Sequence, residues 1–108
     1  MISEDIINLK TTELVNKIKN GDVTSKQLCE VYINRIEKFE KKVCAWAFFD
    51  KKKLLEKAEE ADTYRSSGKS LGPLHGIPVA LKDIIGTYDM PTECGTKLRN
   101  GKSLSQDS

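Results

Sequence analysis

The chain has 108 residues, enough for one domain with a respectable core and no more. Its 38% hydrophobic and 31% charged residues are an ordinary globular balance, which excludes a low-complexity or fibrous class. Eighteen basic residues stand against sixteen acidic ones, and a formal net charge of +2 leaves no electrostatic case for nucleic acid or a membrane surface.

In chain order, Met1–Asp5 has neither a basic n-region nor an apolar h-region, so no secretory signal is expected. No apolar run approaches the roughly 18–20 residues of a membrane span. The first predicted helix has Thr11 as its candidate N-cap, Leu14, Val15 and Ile18 on its apolar face, and Asn20-Gly21 as its stop. The second opens on Thr24-Ser25-Lys26-Gln27, a capping box in which Thr24 caps the N3 amide and Gln27 reaches back. Val23 and Leu28 are spaced for the accompanying hydrophobic staple. Leu28, Val31, Tyr32, Ile36 and Phe39 then recur at helical spacing, with Tyr32 read as packing rather than as a catalytic phenol.

Val43–Phe49 is short and aromatic, which suits a buried strand. Trp46 and Phe48 lack the adjacent basic groove that base stacking needs. Asp50 is placed to cap a third helix with Leu54, Leu55, Ala58 and Ala61 inward, and Ser66-Ser67-Gly68 ends it. The lysines of Lys51–Lys53 are answered by Glu56, Glu59, Glu60 and Asp62, a solvated face.

The stretch Gly72–Ile85 has the strongest chemical character. Gly72, Pro73, Gly76 and Pro78 fix a turn, and Val79, Ala80, Leu81, Ile84 and Ile85 form a near-continuous apolar run, as in a strand covered on both faces. Lys82 lies inside that run, where an ammonium is costly to bury without a partner. A lysine becomes a general base when burial or cationic neighbours disfavour its charged form; the competing reading is a strand-end lysine with its head in water. Asp83, pointing to the opposite face, is expected to hold a loop or packing partner instead of neutralising Lys82. After Ile85 the pattern fades into turns and a polar tail. Three helices and two strands give the second strand too few neighbours, so the sequence reads as the beginning of a larger α/β unit.

No nucleophile is assigned, because none of Ser66, Ser67, Ser70, Ser103, Ser105 and Ser108 sits in a glycine-rich turn beside amide donors. His75, the sole histidine, reads as a hydrogen-bonding loop residue. Cys29, Cys44 and Cys94 are odd in number and widely spaced, so reduced thiols in a cytoplasmic protein are expected. No metal spacing and no phosphate-binding glycine motif is present, so no cofactor is expected.

Gly72-Pro73-Leu74-His75-Gly76-Ile77-Pro78-Val79-Ala80-Leu81-Lys82-Asp83 resembles the amidase signature family. The resemblance extends upstream through Thr24-Ser25, Tyr32 and Arg35-Ile36, and downstream through Met90–Thr96 and Gln106–Ser108. Ile84 and Thr96 depart from the commoner asparagine or leucine and serine. The resemblance implies an α/β/α fold around a mixed sheet with the N-terminal helices outside it. Residues 1–70 would be a helical region with one short strand, and 71–108 the strand carrying the lysine and its following loop. It implies cleavage of amide C–N bonds by a Ser–cisSer–Lys triad with Lys82 as the catalytic lysine. Neither triad serine is matched here, so the 108 residues are expected to be inactive alone. The family includes free amide hydrolases and the glutamyl-tRNA(Gln) amidotransferase A subunit, and the block does not separate them. The expected substrate is a small amide, and a partner chain or self-association would cover exposed strand edges. A non-catalytic remnant folding with such a partner is the alternative.

Overall fold

Alternation of caps and apolar stripes builds three helices, α1 (Thr11–Asn20), α2 (Ser25–Val43) and α3 (Lys51–Ser66), in a computed structural model that describes residues 2–108. Short 3₁₀ turns lie at Glu4–Asn8 and Lys97–Arg99. The chain forms two compact units. One takes in the residues through Cys44 together with Asp50–Pro78; the other takes in Ala45–Phe49 and Val79–Ser108.

In the first unit α2 and α3 each start on a side chain that satisfies an open amide. Thr24 Oγ1 accepts from the Gln27 amide at 3.0 Å and Gln27 Oε1 accepts from the Thr24 amide at 3.0 Å, completing the expected box. Asp50 Oδ1 accepts from the Lys53 amide at 3.0 Å. At α1 the cap lies one residue earlier than expected. Lys10 is the flanking residue, and Glu13 accepts its amide at 2.8 Å. This is half a capping box, since a lysine side chain has no acceptor to offer in return. Gly21 takes a φ of 81°, which lets the Asp22 amide reach the Lys17 carbonyl at 2.9 Å and closes α1.

Ile6, Leu14, Ile18, Val23, Leu28 and Val31 form the core, with Tyr32 and Ile77 packed against it. The staple pair Val23 and Leu28 is therefore buried as expected. The stripe on α2 differs from the sequence reading. Cys29 and Ile33 are buried, whereas Phe39 is 39% exposed. α3 packs along α2, so α2 buries a wider arc near its start than a single-faced helix would.

Neither expected strand forms, and among the described residues there is no strand. Val43 is the last residue of α2, Cys44 closes it with a φ of 52°, and 45–49 is irregular. Residues 79–82 have no regular structure and lead into a turn in which the Ile85 amide donates to the Lys82 carbonyl at 3.0 Å. A strand exists only where a neighbour satisfies its backbone groups. Among the described residues none pairs with this stretch. The covering on both faces expected of this run is corrected with it: Val79 (66%), Leu81 (45%) and Ile84 (62%) are exposed. So is Lys82, whose head in water is one of the two readings the sequence leaves open.

Candidate functional site

The segment leading to the lysine is anchored within the first unit. Two turn bonds shape it, His75 amide to Gly72 carbonyl and Ile77 amide to Leu74 carbonyl. Gly76 has a φ of 77°, and a Cβ there would stand 3.0 Å from Ile18 Cγ2 and 3.3 Å from Ser25 Cβ, so only glycine permits this approach. Buried Ser25 donates its hydroxyl to the Gly76 carbonyl at 2.7 Å. The Asp62 carboxylate in turn accepts the Ser25 amide at 2.7 Å and the Lys26 amide at 3.0 Å. An anion gripping the first amides of α2 satisfies open donors and complements the helix dipole. His75 Nε2 lies 2.8 Å from the Ala61 carbonyl, and because a carbonyl only accepts, Nε2 carries the proton. His75 is thus the hydrogen-bonding loop residue that the sequence suggests.

The Ser25–Asp62 contact is absent from the sequence reading, which places Asp62 on a solvated face. The available signal is a carboxylate on α3 and a serine in the first turn of α2. Their pairing across 37 positions needs the packing of the two helices.

In the second unit Lys82 is exposed, and Asp83 beside it works as a staple. Asp83 Oδ1 accepts the Glu93 amide at 2.9 Å and its carbonyl accepts the Cys94 amide at 3.0 Å. This is the loop-holding part expected of it. Further bonds knit the segment together: Thr92 amide to Lys102 carbonyl at 2.8 Å, Arg99 Nε to Thr92 carbonyl at 2.9 Å, and Gly86 amide to Ser108 Oγ at 2.8 Å. Among the described residues no serine hydrogen-bonds to Lys82, so no nucleophile stands beside it here.

The thiols offer no alternative nucleophile pair. Burial pushes the Cys29 thiol up to about 11, which keeps it protonated and inert, while Cys44 and Cys94 are exposed and free. Among the described residues no group of three ligating side chains gathers for a metal, and no helix is long and apolar enough to cross a membrane.

Comparison with known proteins adds what the geometry lacks. The profile of the family described as Amidase matches residues 27–108. The A subunit of glutamyl-tRNA(Gln) amidotransferase from Streptomyces coelicolor is 41% identical over 97 residues, 90% of this chain and 20% of that protein. The protein of the same name from Leptospira interrogans serovar Lai is 39% identical, over 92% of this chain and 20% of its own length. A solved structure, from work on an unexpected vestigial protein complex that reveals the evolutionary origins of an s-triazine catabolic enzyme, superposes with a TM-score of 0.83 at 25% identity. That match covers 93% of this chain and 22% of the solved one. The chain thus spans about a fifth of the length of the curated relatives it matches.

Proposed function

The chain belongs to the amidase family, and on that premise we propose that it contributes the N-terminal helical layer and the catalytic lysine, Lys82, of an enzyme that cleaves amide C–N bonds. The observation that carries this reading is the family match over residues 27–108, which takes in the whole Gly72–Asp83 block. In the complete enzyme 79–85 pairs into a mixed sheet of an α/β/α fold, which satisfies the backbone groups and covers the apolar side chains left exposed here. The same burial removes water from the Lys82 ammonium and favours the neutral amine that a base requires.

The reaction follows from that state. Neutral Lys82 takes a proton from a bridging serine, which takes one from the nucleophilic serine as it attacks the amide carbonyl. The leaving amine collects the proton on the way out, and water then hydrolyses the acyl-enzyme through the same relay. Neither serine is matched within these 108 residues. The substrate is a small amide, no cofactor takes part, and the three free thiols favour a cytoplasmic setting.

A second reading is a part of a glutamyl-tRNA(Gln) amidotransferase A subunit, favoured by the names of the relatives just described. A non-catalytic piece that folds with a partner chain is the third, favoured by the exposed apolar run. One experiment separates them. This chain replaces the corresponding N-terminal segment of the Streptomyces coelicolor relative, and ammonia release from glutamine and from simple amides is assayed with that enzyme's other subunits present and absent. We expect turnover that falls about 10²–10⁴-fold in Lys82→Ala, and none from the 108 residues alone. Turnover that survives Lys82→Ala overturns the proposal. Glutamine turnover only with the other subunits selects the second reading, and an inactive chimera that still assembles selects the third.

A further inference from the structure

Three contacts hold the loop that feeds the lysine block, Asp62 locks the helix start that carries one of them, and none touches a reacting group. Ser25 Oγ holds the Gly76 carbonyl at 2.7 Å, and Asp62 holds the Ser25 and Lys26 amides at 2.7 and 3.0 Å. His75 Nε2 holds the Ala61 carbonyl at 2.8 Å, and Ile77 packs on the core. A Cβ at Gly76 would crowd Ile18 and Ser25, so the loop backbone lies against α1 and α2. The elements gripping it come from α1, α2 and α3 together, and the Ser25–Gly76 bond alone joins residues 51 positions apart. A loop serving only to connect α3 to the next segment of chain needs no such convergence, because connections of this kind run over the surface with solvated backbones.

We propose that Ser25, Asp62 and His75 are positioning residues for the amide-cleaving reaction: they fix Gly72–Pro78 on the helical layer, so that the segment carrying Lys82 starts from one fixed place. Lys82 follows Pro78 by four residues, so anchoring the loop bounds the lysine's starting point to within about 14 Å of chain. Asp62 acts one step removed, by locking the first turn of α2 that carries Ser25. The inference rests on the functional reading above and adds to it the anchor from which the lysine segment starts.

The test uses the chimera with the Streptomyces coelicolor relative and compares kcat with KM. A misplaced base slows the chemical step while leaving substrate contacts intact, and about 1 Å of misplacement can cost on the order of 10²-fold. Ser25→Ala and His75→Leu are expected to lower kcat by about tenfold or more with KM changed less than about twofold. His75→Gln, whose amide donates from a similar position to Nε2, is expected to restore kcat to within about threefold of the parent. Amide exchange at Ile77 in the 108-residue chain gives a second readout, expected to speed up in Ser25→Ala and His75→Leu but not in His75→Gln. If Lys82→Ala abolishes turnover while Ser25→Ala and His75→Leu leave kcat unchanged, the positioning role is wrong and the functional reading stands. If turnover survives Lys82→Ala, the functional reading itself fails. A parallel rise in KM, or a His75→Gln variant as slow as His75→Leu, would reduce these residues to general scaffolding.

Discussion

The two units of this chain satisfy their polar and apolar groups by opposite means. The helical unit buries Leu28 and Ile18 almost completely and caps the starts of α2 and α3 on its own side chains. The unit holding Val79–Ser108 is knit by backbone bonds and by Asp83, yet it leaves Val79, Ile84 and Leu98 largely in water, Leu98 at 84% exposed. The first unit carries its own hydrophobic driving force. The second is ordered by hydrogen bonds whose net contribution is modest and presents its apolar side chains for something else to cover.

The comparison breaks if core and surface substitutions cost the same. Leu28→Ala is expected to cost about 2–5 kcal/mol in urea unfolding, because a fully buried leucine leaves a cavity. Ile84→Ala, 62% exposed, should change stability by less than about 0.5 kcal/mol, and so should Lys82→Ala. A lysine neutral to stability in this chain but critical in the chimera is a residue placed for chemistry. Asp62→Ala comes next, at about 1.5–3 kcal/mol, since it strips a charged acceptor from two amides at the start of α2. Thr24→Ala should cost about 1 kcal/mol through the lost cap.

A pH-dependent effect concerns Cys29. Its thiol is held up to about 11 in the folded chain, against an ordinary value of 9.0. The unfolded chain therefore loses this proton first, and its share of stability is intact below pH 9 and lost as pH rises toward 11. Comparing chemical unfolding of the parent and Cys29→Ala across that window isolates the slope, which the variant should lack. At about pH 8 a thiol reagent should label Cys44 and Cys94 quickly and Cys29 only on unfolding.

Much of the helical unit is legible in the sequence because its determinants are local. Thr24 and Gln27, Asp50 and Lys53, and Gly21 with Lys17 act within about a helical turn of one another, so their chemistry can be read off adjacent residues. The strands fail for the opposite reason. The apolar run 79–85 describes a segment suited to burial in a sheet, but pairing needs a neighbour that residue types within the segment cannot supply. Lys82 stands out by its setting in the Gly72–Asp83 block, while its exposure depends on what covers it. The anchor of Ser25, Asp62 and Gly76 is hidden in the sequence because it joins residues 37 and 51 positions apart, and only the packing of α3 on α2 brings them together.

The central contrast is tested most directly by native-state amide hydrogen exchange on the 108-residue chain. The Val31 and Ile33 amides, mid-way along α2, should be protected to near the global unfolding free energy. The amides of Val79, Ala80 and Leu81, which make no backbone hydrogen bond among the described residues, should exchange close to the rate of an unstructured peptide. Strong protection at 79–81 would mean that this chain already pairs and covers its apolar run, and would contradict the account.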